Sequence, residues 1–157
     1  MSLAHLQAAL RPFTAHLAGC DLGDPALAQR LNATWPLHHP EIEALRAFVL
    51  AGVVEGWLAP KENAGVRFGR PIKPSPESQG FSVDAVIMDG PGPGHTHPKG
   101  EVEICFVLDG EPRFDGNPPG WTVYPPGSWH IPTVSGGKMA ILYFLPEGAM
   151  RFEAQPG

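Results

Sequence analysis

The chain has 157 residues, 43% apolar and 17% charged, which is enough to bury one core and excludes a disordered polypeptide. Its 19 Gly and 19 Pro predict many turns and short strands. A net charge of −5 excludes the basic surface that nucleic acid requires, and no stretch approaches the roughly 20 apolar residues of a membrane span.

In chain order, Leu3, Leu6, Leu10, Phe13 and Leu17 recur at helical spacing, with Pro12 predicting a break or a new start within the segment. Asp24-Pro25 places a capping side chain before a proline and predicts a short helix through about Leu31. From Pro40, the positions Ile42, Leu45, Val49, Leu50 and Val53 mark a helical face that Gly56 ends. Between Pro60 and Gly80, four prolines predict an irregular connector with one short strand near Val66–Phe68. After Gly80 the period changes. FSVDAVIM alternates, and EICFVL, WTVY and MAILYFL are short β-favouring runs separated by Gly/Pro-rich turns.

The predicted architecture is mainly β, a single-domain closed antiparallel barrel or jelly roll over residues 61–157 with a helical N-terminal extension over 1–60. Cys20 and Cys105 lie far apart without metal or redox spacing, which fits a reducing cytoplasm. The first residues lack the basic start and apolar run of a signal peptide, so a soluble, unprocessed protein is expected.

The chemistry concentrates in two strings. In His95-Thr96-His97 the imidazoles are two apart, so on a strand both project from one face, as two ligands of one ion must. Pro125-Pro126-Gly127-Ser128-Trp129-His130 turns the chain and delivers a third imidazole at the start of a strand. Glu101 and Glu103 share the parity of His95 and His97, but the intervening Pro98-Lys99-Gly100 turn leaves open which carboxylate joins them. Three histidines and one carboxylate suit Zn, Fe, Mn, Ni or Co, with positions left for water or substrate. The bland alternative is a satisfied polar network in a barrel without an ion.

These strings resemble the cupin motifs G-x5-HxH-x3-4-E-x6-G and G-x5-PxG-x2-H-x3-N. Gly90 lies one residue too close to His95, Gly120 one too close to Pro125, and Val134 replaces the terminal Asn. Glu101 fits the spacing from the histidines; Glu103 fits the spacing to Gly110 and begins the strand-like EICFVLDG. Glu103 is the preferred ligand, completing a metal set of His95, His97, Glu103 and His130. The strings GHTHPKGEVEICFVLDG, PRFDG, GWTVYPPGSWHIPTVSGG and MAILYFLPEGAMRF further resemble the 4-hydroxylaminobenzoate lyase-like cupins.

That likeness implies conversion of 4-hydroxylaminobenzoate and water into protocatechuate and ammonia, redox-neutral overall, with Glu101 or Tyr124 moving protons. The substrate's carboxylate calls for a cationic anchor. Among Arg67, Arg70, Lys73 and Arg113, the preferred pair is Arg67 and Arg113, each near a Phe in a strand-like context. Trp129 is a candidate pocket wall beside His130; Trp121 and Cys105 read as core, and His38-His39 as a loop pair. The rival functions are a metal-dependent dioxygenase and a non-catalytic ligand-binding barrel. A homodimer is expected from the exposed strand edge and the apolar helical extension.

Overall fold

The structure, a computed structural model, describes residues 2–157. Helix α1 spans Leu3–Leu17 and buries Leu6, Leu10, Phe13, Thr14 and Leu17. It runs through Pro12 without the expected break. Proline removes one backbone donor, while Leu10 and Phe13 on either side are held in the core.

Helix α2 spans Leu27–Thr34, starting later than Asp24-Pro25 predicted. The Asp24 carboxylate accepts the Ala26 amide proton at 2.9 Å, closing a turn ahead of the helix. Helix α3 spans Pro40–Glu55, and Gly56 ends it at φ 85°. His39 is its N-cap, with Nδ1 accepting from the Glu41 amide at 3.1 Å. No helix is long and apolar enough to cross a membrane among the described residues.

The strands are β1 Lys61–Asn63, β2 Val66–Ile72, β3 Phe81–Met88, β4 His95–His97, β5 Glu101–Phe114, β6 Gly120–Tyr124, β7 Ser128–His130, β8 Val134–Pro146 and β9 Arg151–Phe152. They form one sheet in the order β1-β2-β3-β8-β5-β6 and a smaller sheet β7-β4-β9, with antiparallel pairing throughout. The region expected to be an irregular connector therefore supplies a hairpin, β1–β2. Ala64 and Gly65 turn it at φ 51° and 81°, the left-handed pair that a two-residue hairpin requires.

The central strands β3, β8 and β5 are buried on both faces over most of their length, which is why they read as nearly continuous apolar runs. Along β5, Val102, Ile104 and Phe106 face the helices, joined by Val83 and Ala85 of β3 and Leu142 and Phe144 of β8. The alternate residues turn the other way. Cys105, Ile141, Tyr143 and Leu145 line the barrel interior with Met88 and Phe114. Asn32 of α2 ties the helical layer to edge strand β6, donating to the Trp121 carbonyl at 2.9 Å and accepting from the Trp121 amide at 2.9 Å.

Candidate metal centre

Strand β4 presents both of its imidazoles to the barrel interior, and β7 lies beside it with His130 directly opposite His95 and Ser128 opposite His97. Gly127, at φ 81°, makes the turn into β7 and donates its amide to the His97 carbonyl at 2.7 Å. Gly100, at φ 88°, turns the chain from β4 into β5, so Glu101 comes back under the two imidazoles.

The resulting cluster is compact. His95 Nε2 lies 3.0 Å from His130 Nε2 and 3.6 Å from Glu101 Oε1. His97 Nε2 lies 3.2 Å and His130 Nε2 3.7 Å from Glu101 Oε2. Among the described residues, His95, His97, Glu101 and His130 are the group whose ligand atoms all fall within 4.8 Å of one another.

This set departs from the sequence expectation in its carboxylate. Glu103 faces the same interior but stands two residues farther along β5, about 6.6 Å deeper at the usual strand rise. Its Oε1 accepts the Thr122 hydroxyl proton instead. The alternation of β5 points both acids inward, and distance along the strand selects Glu101.

The electrostatics separate the two acids. Burial pushes the Glu101 carboxyl up, but the His95 and His97 imidazoles and the Glu103 carboxyl beside it overcome that and hold the group at about 2. Burial, and then the Glu101 charge, push Glu103 well above the usual carboxylate range. The pair thus shares one negative charge, carried by Glu101. Burial also pushes the Cys105 thiol well up, consistent with the small buried hydrophobe expected from sequence.

Both Glu101 oxygens, His97 Nε2 and His95 Nδ1 are buried without a hydrogen-bond partner. Native interiors rarely leave such groups unpaired, so the satisfied polar network weighed from sequence is not what the structure displays. A cation among the Nε2 atoms and Glu101 would engage the carboxylate oxygens and His97 Nε2. Two of the three outer nitrogens are already fastened: His97 Nδ1 to Ser128 Oγ at 2.9 Å and His130 Nδ1 to Asp115 Oδ2 at 2.7 Å. Such contacts set ring orientation in metal sites.

A cleft of about 870 Å³ opens beside the cluster and reaches His95. Phe68, Val86, Met88, Tyr143, Met150 and Phe152 give it apolar walls, and Lys61 and Arg70 supply its cations. Arg70 grips Asp84 through Nε at 2.7 Å and Nη2 at 3.0 Å. Burial raises the Asp84 carboxyl despite that partner.

The residues proposed from sequence as substrate contacts fall elsewhere. Val66, Phe68 and Arg70 alternate into the cleft, so Arg67 lies on the other side of β2 and does not line it. Arg113 donates to the Gly116 carbonyl at 3.1 Å in its own hairpin, outside the cleft. Trp129 packs on Gly94 and donates its indole proton to the Glu153 carbonyl at 2.9 Å, also outside the cleft lining. Trp121 is core, its indole donating to the Trp35 carbonyl at 3.1 Å. Tyr124 does reach the centre, with its ring 4.2 Å from that of His130 and its hydroxyl donated to Asp115.

Several cleft and centre residues escaped the sequence reading, Lys61, Phe152 and Asp115 among them. Lys61 sat in the supposed connector, Phe152 after the last apolar run, and Asp115 in an Asp-Gly pair that reads as a hairpin turn.

A two-sheet antiparallel barrel that gathers three imidazoles and a carboxylate from its HxH and PxGxxH strings is a cupin. The chain matches the PnbB family, described as 4-hydroxylaminobenzoate lyase, over residues 8–152, and it belongs to that family. A Pseudomonas putida protein named 4-hydroxylaminobenzoate lyase is 31% identical over 143 residues, covering 80% of this chain and 81% of that one. A protein of the same name from Nocardioides sp. (strain LMS-CY) is 32% identical over 155 residues, covering 92% and 91%. Among solved structures, an RmlC-like cupin from Ralstonia eutropha JMP134 is 13% identical and covers 59% of this chain and 62% of its own, with a TM-score of 0.44.

Proposed function

We propose that this chain is a metal-dependent carbon–nitrogen lyase that converts 4-hydroxylaminobenzoate and water into protocatechuate and ammonia. The observation that carries the reading is the junction of a dense imidazole–carboxylate cluster with an apolar cleft that also bears cations, in a chain of this family. One end suits an electrophile and the other suits an aromatic acid.

The reaction balances without an external oxidant. The N–O bond breaks and takes up the two electrons that the ring surrenders as it gains oxygen; one water enters and one ammonia leaves. His95, His97, Glu101 and His130 would hold the ion, and their nitrogen and oxygen donors suit Zn, Fe, Mn, Ni or Co. When bound, such an ion supplies Lewis acidity toward the hydroxylamino oxygen or a water.

The chain's own residues do the rest. Lys61 takes the substrate carboxylate, replacing the arginines expected from sequence, while Arg70 lines the same cleft paired with Asp84. Phe68, Tyr143 and Phe152 flank the ring and exclude water from it. Glu101 is committed to the cluster and the Tyr124 hydroxyl to Asp115, so neither is free for the proton transfer assigned to it from sequence.

Cytoplasmic residence and a homodimer are part of the same proposal. Cys20 and Cys105 are free thiols, and β1 is an exposed sheet edge open to pairing. Light scattering checks the dimer.

The test is an anaerobic assay of protein loaded with each candidate metal in turn, reading protocatechuate by chromatography and ammonium by coupled enzyme. Both products in equal amounts are expected. Formation of neither with any metal overturns the reading, and strict dependence on oxygen replaces it with a dioxygenase.

A further inference from the structure

Asp115 sits in the two-residue turn between Phe114 and Asn117, with φ 49° at Asp115 and 82° at Gly116. The turn is closed by the Phe114 amide donating at 2.9 Å to the Asn117 carbonyl and the Asn117 amide donating at 2.8 Å to the Phe114 carbonyl. From there the side chain turns back toward the barrel. Its Oδ2 takes the Tyr124 hydroxyl proton and meets His130 Nδ1 at 2.7 Å. Its Oδ1 accepts the Thr133 amide proton at 2.8 Å.

A carboxylate only accepts, so His130 Nδ1 must carry the proton in this arrangement, and Nε2 presents its lone pair toward His95 and Glu101. We propose that Asp115 is the positioning residue of the metal centre, fixing both the tautomer and the tilt of His130.

No neutral isostere reproduces it. The three donors arrive on both oxygens, from His130 and Tyr124 on one side and the Thr133 backbone on the other. An asparagine turned with its amide nitrogen toward His130 would donate to Nδ1, driving the proton to Nε2, where it blocks the ligand position. Turned the other way, it would set a donor against the Thr133 amide. The backbone itself tolerates the change, because Asn adopts the left-handed conformation as readily as Asp. Asp115→Asn therefore tests the acceptor pattern and not the turn.

The inference rests on reading the four-residue cluster as a metal centre, and the experiment separates the two. Zinc affinity of wild type, Asp115→Asn and Tyr124→Phe is measured by competition with a chromophoric chelator. The tautomer of His130 is read from long-range proton–nitrogen NMR of the zinc-free protein. Wild type is expected to show Nδ1–H. Asp115→Asn is expected to lose about 10- to 100-fold in affinity, as loss of a partner behind a ligating histidine does, and to shift toward Nε2–H. Tyr124→Phe, which keeps the carboxylate on His130, should stay within roughly threefold of wild type on the same scale.

Wild type that binds no zinc sinks the metal reading. Wild type that binds zinc while Asp115→Asn binds equally well overturns the role of Asp115. An Nε2–H imidazole in wild type overturns it whether or not the variant folds.

Discussion

Replacing the two interior acids one at a time separates ligand from neighbour. In Glu101→Gln the cluster loses the carboxylate whose oxygens lie 3.2 to 3.7 Å from the Nε2 atoms of His95, His97 and His130. The environment favours a negative charge there strongly, holding the carboxyl at about 2 against an ordinary 4.5. An amide cannot supply that charge to a bound cation, so metal affinity should fall by at least the roughly 10- to 100-fold that losing a partner behind a metal ligand costs. Glu103→Gln exchanges one neutral group for another of the same shape and keeps an acceptor for Thr122, so affinity should hold within about fivefold. Elemental analysis after purification without added metal, followed by chelator competition, reads both variants. Full metal in Glu101→Gln together with loss in Glu103→Gln would refute the assignment.

Three further outcomes follow from the same structure. In metal-free protein the folded state holds the Glu103 proton above the ordinary value of 4.5, so wild-type stability is penalised increasingly as pH rises beyond it. Glu103→Gln should gain on wild type by about 1.4 kcal/mol per pH unit until the folded group ionises, as read by urea denaturation from pH 5 to 8; a gap constant with pH contradicts this. Lys61→Met should raise KM for 4-hydroxylaminobenzoate roughly tenfold with kcat nearly unchanged, and leave N-phenylhydroxylamine, which lacks the carboxylate, unaffected. Gly137→Ala drives a methyl group into the Asp109 carbonyl across the β5–β8 pair and should cost about 2 to 3 kcal/mol, seen as a lowered Tm; an unchanged Tm would show that this bulge yields.

Much of the barrel was legible because period-2 patterns and Gly/Pro punctuation are local signals. His95 and His97 announced their shared face by spacing alone, and Pro125 to His130 announced a turn that returns an imidazole. The choice between Glu101 and Glu103 was not legible. Both obey the alternation, and the discriminating quantity is depth along β5, fixed by the left-handed turn at Gly100. Arg70 was passed over for Arg67 because the inward parity of β2 depends on its pairing with β3, which is a long-range fact. Asp115 was hidden for a different reason: Asp-Gly is so common in hairpins that a second duty for the side chain leaves no separate trace. Pro12 misled because propensity is a weak prior when both flanking faces are buried.

The alternation of β5 has a consequence for how the centre comes into being. Val102 and Ile104 belong to the helix-facing core, while Glu101 and Glu103 point into the barrel. A slip of one residue would seat two acids among the leucines of the helices and leave two aliphatic groups facing the histidines. Such a chain would gain neither core nor ligands, so it has no compact state in which to persist. The pleat thereby proofreads the ligand set: a molecule that has docked its helices has already aimed its carboxylate at the histidines.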